Sequence, residues 1–293
     1  MQVTTAATRQ KSTSSWLIRL TLGIVLNAVA WVSAWTHCGP LAHYSFFPLW
    51  LGFILIVDAI TAARSGTSLW CRGKAQLVSL FVVSAPFWWY FEQVNARVGN
   101  WHYVTFRPFA TGEYIFWASL AFSTVIPAVL TVTELLGTFG WITSTALHVE
   151  RLPVRLALAI LATGMVTFAL SLLFPRQCYP LLWMSLLFTL DPINNLAGEA
   201  SIAALIRARA YACLLRLMAA GLICGFFWEM WNARSLPKWY YTVPYVGFGH
   251  LFEMPVLGYG GYLSFALEIY AVYNVVRLIS RPLHLFPRDY VRI

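Results

Sequence analysis

Long apolar runs separated by short polar segments dominate this chain. A run of about 20 mostly apolar residues is long enough to cross the hydrocarbon core of a bilayer as a helix. The pattern predicts an all-α, polytopic helical membrane protein with eight transmembrane helices. The sixth run contains Asp191 and Pro192, which predict a broken helix because proline lacks a backbone donor. The predicted spans cover 16–36, 44–63, 76–95, 114–137, 154–174, 178–197, 211–232 and 255–277.

A polar motif near the ends of two of these runs occurs twice. Glu92 and Asn95 are followed by an Ala-Arg pair and then by an aromatic pair, Trp101 and Tyr103. The same order of Glu, Asn, Ala and Arg begins again at Glu229, 137 residues later, and is again followed by two aromatic residues, Trp239 and Tyr240. The spacing from glutamate to arginine is the same in both copies, although one such match could arise by chance.

A second match lies upstream of the first. Trp50 and Asp58 recur as Trp183 and Asp191 at an offset of 133 residues. Because both matches come in the same order at nearly the same offset, we expect two four-helix repeats. An even number of spans keeps each repeat pointing the same way, so the repeats are expected to be parallel. The expected parts are an N-terminal tail, the two repeats and a C-terminal tail, at 1–15, 16–140, 150–280 and 281–293.

Composition excludes an ordinary water-soluble domain and charge suggests an orientation. The chain is 59% hydrophobic and 11% charged, whereas soluble domains carry about 25% charged residues. With the N-terminus inside, fifteen of the 20 basic side chains fall on the cytoplasmic side. This bias predicts an integral protein, expected in the bacterial inner membrane, with both termini cytoplasmic and span 1 retained as a signal anchor. The net charge of +9 needs no nucleic acid, because anionic lipid accounts for it.

Glu92 and Glu229 are the candidate catalytic residues. A charged side chain at membrane depth is disfavoured by roughly 2.5 kcal/mol or more, so its recurrence in both halves suggests a use. Asn95 and Asn232 lie one helical turn away on the same faces and complete the candidate set. If the two carboxyl groups face each other across a cavity, one serves as proton donor and the other as acceptor. The alternative is that each glutamate pairs with the arginine of its own motif as an interface anchor.

Further candidates surround these acids. Asp58 and Asp191 have an alternative role, which is to cap a neighbouring helix or to pair with a basic residue such as Arg64. Glu268 lies well inside an apolar run and is therefore difficult to interpret as a surface residue. The candidate substrate-binding residues are Trp89, Trp101, Trp228, Trp239, Asp58, Asp191 and Glu268.

The cysteines and histidines do not have the spacing of a metal site, so no metal is expected and the sequence predicts no particular cofactor. Cys38 and Cys178 stand in matching loops. They are either two unrelated thiols or a disulfide across the two halves.

The segment 89–103 resembles a signature of the membrane-integral lycopene cyclases, the small heterodimeric or fused type of carotenoid biosynthesis. Glu92, Gly99, Trp101 and Tyr103 match its first element, and Glu229 begins a less complete match. The family's second element, with proline and paired acids, is not reproduced: Glu113 has no proline before it, and Glu253 is followed rather than preceded by one.

The resemblance implies a helical membrane protein of two homologous halves that acts on an isoprenoid. We therefore expect acid–base chemistry, of lyase or isomerase type, on an isoprenoid- or lipid-like substrate between the halves. The alternative is a non-catalytic membrane subunit or a secondary transporter that uses the same cavity. Expected partners are membrane lipid, a hydrophobic small molecule and another membrane protein.

The orientation can be tested with reporter fusions. A C-terminal alkaline phosphatase fusion should be inactive and a C-terminal green fluorescent protein fusion should fluoresce, because both termini are expected in the cytoplasm. A phosphatase fusion after Arg107, in the loop that follows the third span, should be active. High activity of the C-terminal phosphatase fusion would contradict the orientation.

Overall fold

The computed structural model describes residues 2–39, 41–140 and 151–293, with side chains from Ser15 onward. The described chain is mostly helical. Its helices are α1 (Gln2–Thr36), α2 (Phe46–Ser65), α3 (Leu69–Arg72), α4 (Lys74–Val98), α5 (Thr111–Phe122), α6 (Val125–Gly137), α7 (Val154–Leu173), α8 (Pro175–Leu196), α9 (Ile202–Arg207), α10 (Tyr211–Asn232) and α11 (Gly260–Ile279). Its short strands are β1 (Trp101–Val104), β2 (Lys238–Tyr241), β3 (His250–Leu251) and β4 (Met254–Pro255).

Six helical segments within the described ranges are long enough and apolar enough to cross a membrane. The prediction of a helical membrane protein is confirmed at this level. The third and sixth predicted spans correspond to α4 and α8, which do not meet the same criteria of length and composition, so the count of eight stays a prediction. The six segments are Ser15–Thr36, Phe46–Ser65, Thr111–Gly137, Val154–Leu173, Tyr211–Asn232 and Val256–Ile279.

The fourth predicted span is divided into α5 and α6. A continuous helix would join the Ile126 N–H to the Phe122 carbonyl. Instead, the Ser84 hydroxyl of α4 donates to the Phe122 carbonyl at 2.6 Å and accepts from the Ile126 N–H at 3.0 Å. Pro127 also lacks the donor that the next turn would need. A side chain inserted into the helical hydrogen-bond ladder therefore produces the break.

The sixth predicted span is not broken, and that expectation is wrong. Helix α8 runs without interruption from Pro175 to Leu196, with Pro192 inside it. The polar residues after Pro192 find partners on neighbouring segments: Asn194 donates to the Ala271 carbonyl of α11, and Asn195 donates to the Ser201 hydroxyl. These contacts let the polar turn remain helical.

Small residues bring neighbouring helices close together. A Cβ atom at Gly23 of α1 would lie 2.8 Å from the Gly52 carbonyl oxygen of α2. A Cβ atom at Gly164 of α7 would lie 2.7 Å from the backbone nitrogen of Thr189 in α8. The pairs α1–α2 and α7–α8 thus pack with their backbones nearly in contact, as small residues allow in membrane helices.

The two ends of the helical bundle differ. At one end, which we call the strand end, β1 and β2 pair antiparallel, with Trp101 opposite Tyr241 and Tyr103 opposite Trp239. Helices α4 and α10 lead into these strands.

At the opposite end, which we call the tail end, the segment after α11 folds back onto the bundle. The buried Tyr290 donates to the Leu69 and Gly73 carbonyls, and Arg72 donates to the Tyr290 carbonyl at 2.7 Å. Glu134 forms an ion pair with Arg72 and accepts the Arg292 N–H at 3.0 Å.

The buried aspartates at the tail end cap short helices. Asp58 accepts the Trp70 N–H of α3 at 3.0 Å and lies 3.3 Å from Arg19. Asp191 accepts the Ile202 and Ala203 N–H groups of α9. Both aspartates therefore take the alternative capping role. Arg64, the basic partner suggested above for Asp58, instead donates to Thr138 at 2.7 Å. Matching contacts of this kind are what a duplication would produce, while the repeat itself stays a prediction.

Replacing Gly164 with alanine should destabilise the protein, because the new methyl group would overlap the backbone of Thr189. Overpacking of this kind costs about 1–3 kcal/mol, which should lower the midpoint of thermal unfolding in detergent. Gly112→Ala is the matched control, because no atom lies within 4 Å of a Cβ placed there. Equal unfolding midpoints for the two variants would contradict the close α7–α8 packing.

Candidate functional site

A largely apolar cavity of about 560 Å³ lies at the strand end. This volume is within the usual range of small-molecule sites, about 300–1,000 Å³. The wall is formed by β1, β2 and the adjoining parts of α2, α4, α5, α8, α10 and α11, so segments of both predicted halves contribute. Its aromatic lining comprises Tyr44, Phe46, Phe47, Trp88, Trp101, Tyr103, Phe109, Tyr114, Trp117, Phe122, Tyr179, Trp183, Trp228, Trp239, Tyr241, Tyr262 and Phe265.

Glu92 is separated from the cavity by the side chains of its hydrogen-bond partners. Its Oε1 atom accepts from the indole nitrogens of Trp88 at 2.9 Å and Trp101 at 3.1 Å, and from the Tyr103 hydroxyl at 2.6 Å. All three donors line the cavity, whereas Glu92 is not among the lining residues. The Arg97 of its motif is exposed. The acid is therefore held by neutral aromatic donors.

Glu229 is the corresponding acid beside β2, and it is fully buried. Its Oε1 atom accepts from the hydroxyls of Tyr241 at 2.7 Å and Tyr262 at 2.6 Å. Trp239 donates its indole N–H to the Tyr241 hydroxyl at 2.8 Å. The guanidinium of Arg234 lies over the Trp35 ring, 5.4 Å from its centre. As with Glu92, the observed partners are aromatic and not the arginine of the motif.

The two asparagines fix the starts of the strands. Asn95 donates to the Trp101 carbonyl at 2.7 Å and accepts the Trp101 N–H at 3.2 Å. Asn232 makes the same pair of bonds with Trp239, at 2.7 and 2.8 Å. Both asparagines therefore orient the tryptophan that follows them, and neither lines the cavity.

The second aromatic partner differs from the one in the sequence motif. Tyr241, not Tyr240, bonds to Glu229, and Tyr240 is 39% exposed. Residues two apart in a strand share a face, so alternation would have placed Trp239 and Tyr241 together. No local sequence pattern predicts that Tyr262, which is on α11, contacts Glu229.

The predicted substrate-binding residues fall in different places. Trp101, Trp228 and Trp239 line the cavity. Trp89 is not among the lining residues and donates its indole N–H to Ser119 at 2.9 Å. Asp58 and Asp191 are at the tail end. Asp58 lies twelve residues along α2 from the cavity-lining Phe46, which corresponds to about 18 Å of helix.

Glu268 is fully buried just beyond the tail-end side of the cavity, which we call the cavity floor. It follows Phe265, a lining residue, by one helical turn. Its carboxyl group lies against the α8 backbone at Leu186 and Leu187, and neither oxygen forms a hydrogen bond of normal geometry with a described residue. The sequence prediction that Glu268 is not a surface residue is confirmed.

A cluster of rings closes the floor above Glu268. Phe265 stacks on Phe87 at a ring-centre distance of 5.7 Å, and Phe91 stacks on Trp183 at 5.4 Å. Trp228 and Phe265 meet at 6.2 Å. Packed rings with few rotamers keep the shape of the cavity fixed.

The strand tyrosines are neutral hydrogen-bond donors. Burial raises the pKa of the Tyr103 hydroxyl well above its ordinary value, and the charge of Glu92 raises that pKa further. Burial and Glu229 raise the pKa of Tyr241 in the same way. The site therefore combines aromatic faces, which attract cations, with two carboxyl groups that reach the wall through hydroxyl groups.

Metal ligands do not cluster in the described part of the chain: no group of three or more His, Cys, Asp or Glu side chains is placed to hold an ion. All five cysteines are free thiols, including Cys38 and Cys178.

No protein-family model matches the chain, and no curated protein or solved structure is significantly similar to it. Its function is therefore inferred from the geometry of the site.

Replacing Tyr241 with phenylalanine should destabilise the protein by about 1–3 kcal/mol, because Glu229 would lose a donor in a buried site. Tyr240→Phe, in the neighbouring exposed position, should change the free energy of unfolding by less than about 0.5 kcal/mol. Thermal unfolding of the purified variants in detergent measures both effects. Equal stability of the two variants would mean that the Tyr241–Glu229 bond contributes nothing.

Proposed function

We propose that this membrane protein acts on a hydrophobic, isoprenoid- or lipid-like substrate by acid–base chemistry of isomerase or lyase type. The observation that carries the proposal is the aromatic cavity at the strand end. Two glutamates stand behind its wall, and each is hydrogen-bonded by the residues that form that wall. An apolar site flanked by two acids, of which Glu229 is fully buried, suits proton transfer to and from a hydrocarbon.

The architecture that we propose has eight membrane-crossing segments in two parallel four-helix repeats. Helix α4 begins beside the tail-end residue Tyr290 and ends at β1, so it traverses the whole bundle. Helix α8 runs from Tyr179 at the cavity to Asp191 at the tail end. Both helices therefore extend between the tail end and the strand end of the bundle, as their apolar neighbours do. The proposed location is the bacterial inner membrane, and the distribution of basic residues supports an orientation with both termini in the cytoplasm.

The proposed reaction is an isomerisation through a carbocation. One carboxyl group, in its protonated form, donates to the tyrosine hydroxyl in front of it, whose O–H turns towards the substrate. The tyrosine passes its own proton to a carbon–carbon double bond and receives the carboxyl proton in its place. The cation that forms is stabilised by the surrounding ring faces. The second carboxylate, through its own tyrosine, accepts a proton from a neighbouring carbon. One C–H bond forms and one breaks, so the substrate leaves as an isomer, and transfer of one proton between the two carboxyl groups restores the site.

The second candidate function is a secondary transporter or a non-catalytic subunit that binds the same ligand. Glu268 supports this alternative, because a buried ionisable group inside a membrane bundle often marks a proton or ion pathway. It lies directly beneath the cavity floor and is not needed for the proposed isomerisation.

Changing Glu92 or Glu229 to glutamine should abolish turnover while the protein remains folded, because glutamine keeps the volume and a hydrogen-bond acceptor. General acid–base catalysis typically contributes about 10²–10⁴-fold in rate, so a loss of this size is expected. The assay follows incorporation of deuterium from heavy water into an acyclic polyene in proteoliposomes by mass spectrometry.

Glu113→Gln is the control for this experiment. Glu113 lies outside the cavity lining and pairs with Arg107, so its replacement should leave turnover unchanged. Unchanged deuterium incorporation in both cavity variants would contradict the proposed chemistry. Binding of the polyene by the unaltered protein without any incorporation of deuterium would favour the second candidate function.

A further inference from the structure

The segment 243–258, which we call the lid segment, covers the cavity between β2 and α11. Its inner face contributes Val243, Val246 and Met254 to the cavity wall. Its outer face carries large hydrophobic side chains that contact little of the protein: Tyr245 is 70% exposed and Phe248 is 62% exposed. One short segment therefore joins the cavity to an exposed apolar surface.

The outer face of the lid segment extends along the side of the bundle, towards the tail end. The ring of Phe252 in the lid segment contacts the ring of Phe226 in α10, with centres 5.6 Å apart. Phe226 is 40% exposed on the outside of α10 and precedes the end of that helix at Asn232 by six residues. At about 1.5 Å per residue, the contact lies about 9 Å below the helix end. The lid surface is thus continuous with the side of a membrane-spanning helix.

Charge on the lid segment is almost absent. Glu253 is its one acidic residue, and neither lysine nor arginine occurs in it. The Glu253 carboxylate is 2.6 Å from the Lys238 ammonium group of β2, and Lys238 also lines the cavity. This ion pair neutralises the segment and ties it to the strand. A neutral, aromatic-rich surface of this kind suits the boundary between lipid headgroups and acyl chains.

We propose that the lid segment is embedded in the bilayer leaflet at the strand end and that the lipid-like substrate enters the cavity from that leaflet beneath it. Bilayer lipid is the occupant of the outer face. The Lys238–Glu253 pair acts as the latch that holds the lid closed. The embedding follows from the lid itself, whereas substrate entry rests on the function proposed above.

Embedding is tested with a nitroxide spin label at Phe248→Cys in lipid nanodiscs, with Cys38, Cys71 and Cys178 replaced by serine. Collisions with oxygen should enhance the relaxation of the nitroxide, whereas a water-soluble nickel complex should have little effect on it. Val82→Cys provides the lipid-facing reference, since Val82 is 66% exposed on α4, and Arg97→Cys provides the water-facing one. A nickel accessibility at position 248 equal to that at position 97 would overturn the proposal.

Entry is tested by uptake of a tritiated long-chain polyene from liposomes. A charge on the outer face, Phe248→Asp, should slow uptake about tenfold, which corresponds to about 1.4 kcal/mol in the entry barrier. Tyr240→Asp, on the exposed strand outside the lid, should take up the polyene at the normal rate. Equal uptake by the two variants would overturn entry beneath the lid.

Uptake also separates this inference from the proposed chemistry. Glu229→Gln should load the polyene at the normal rate and yet fail to incorporate deuterium. Lys238→Gln should accelerate both loading and release, because the latch is lost. If loading depends on the lid while deuterium incorporation is absent even in the unaltered protein, the lid inference stands and the isomerase proposal fails.

Discussion

The antiparallel pairing of β1 with β2 is the contact on which the site depends. It joins the two predicted halves at one end of the bundle and sets Tyr103 opposite Trp239. Asn95 and Asn232 anchor the starts of both strands through paired bonds to the backbone. Since a hydrogen-bonded strand pair fixes its register residue by residue, the positions of the rings that bind the two glutamates follow from it. A shift in register by one residue would turn these rings to the opposite face.

The buried glutamates at the two ends of the bundle have different partners. At the tail end, Glu134 pairs with Arg72, and Glu199 pairs with Arg277 and Arg281. These fixed cations make the acids part of the scaffold. At the strand end, Glu229 is equally buried and is bonded by neutral hydroxyl groups. Neutral donors let a carboxyl group gain or lose a proton without leaving an unpaired cation behind. The chemistry is therefore expected at the strand end.

Sequence patterns anticipate those features that depend on local composition. The predicted fifth and seventh spans agree with α7 and α10 to within a residue, because their apolar runs are uniform and sharply bounded. The break between α5 and α6 could not be foreseen, since it depends on Ser84 of a different helix. The pattern around Pro192 predicts a break because proline lacks a donor, whereas the contacts of Asn194 and Asn195 with other segments, which keep this turn helical, leave no trace in the local sequence. Tyr262 was missed for a related reason: it reaches Glu229 from 33 residues away in sequence, through tertiary packing alone.

The docking of Tyr290 onto α3 and α4 bears on the order of biogenesis. The carbonyl groups of Leu69 and Gly73 receive its hydroxyl, so partners near the beginning of the chain are completed by a residue synthesised after all of the helices. The first helices must therefore wait in the membrane with this part of their surface unfilled until translation has passed the eleventh helix. During that interval the Leu69 and Gly73 carbonyls are held only by the backbone N–H groups of Gly73 and Leu77, so the junction of α3 and α4 gains its last contacts when the C-terminal segment docks.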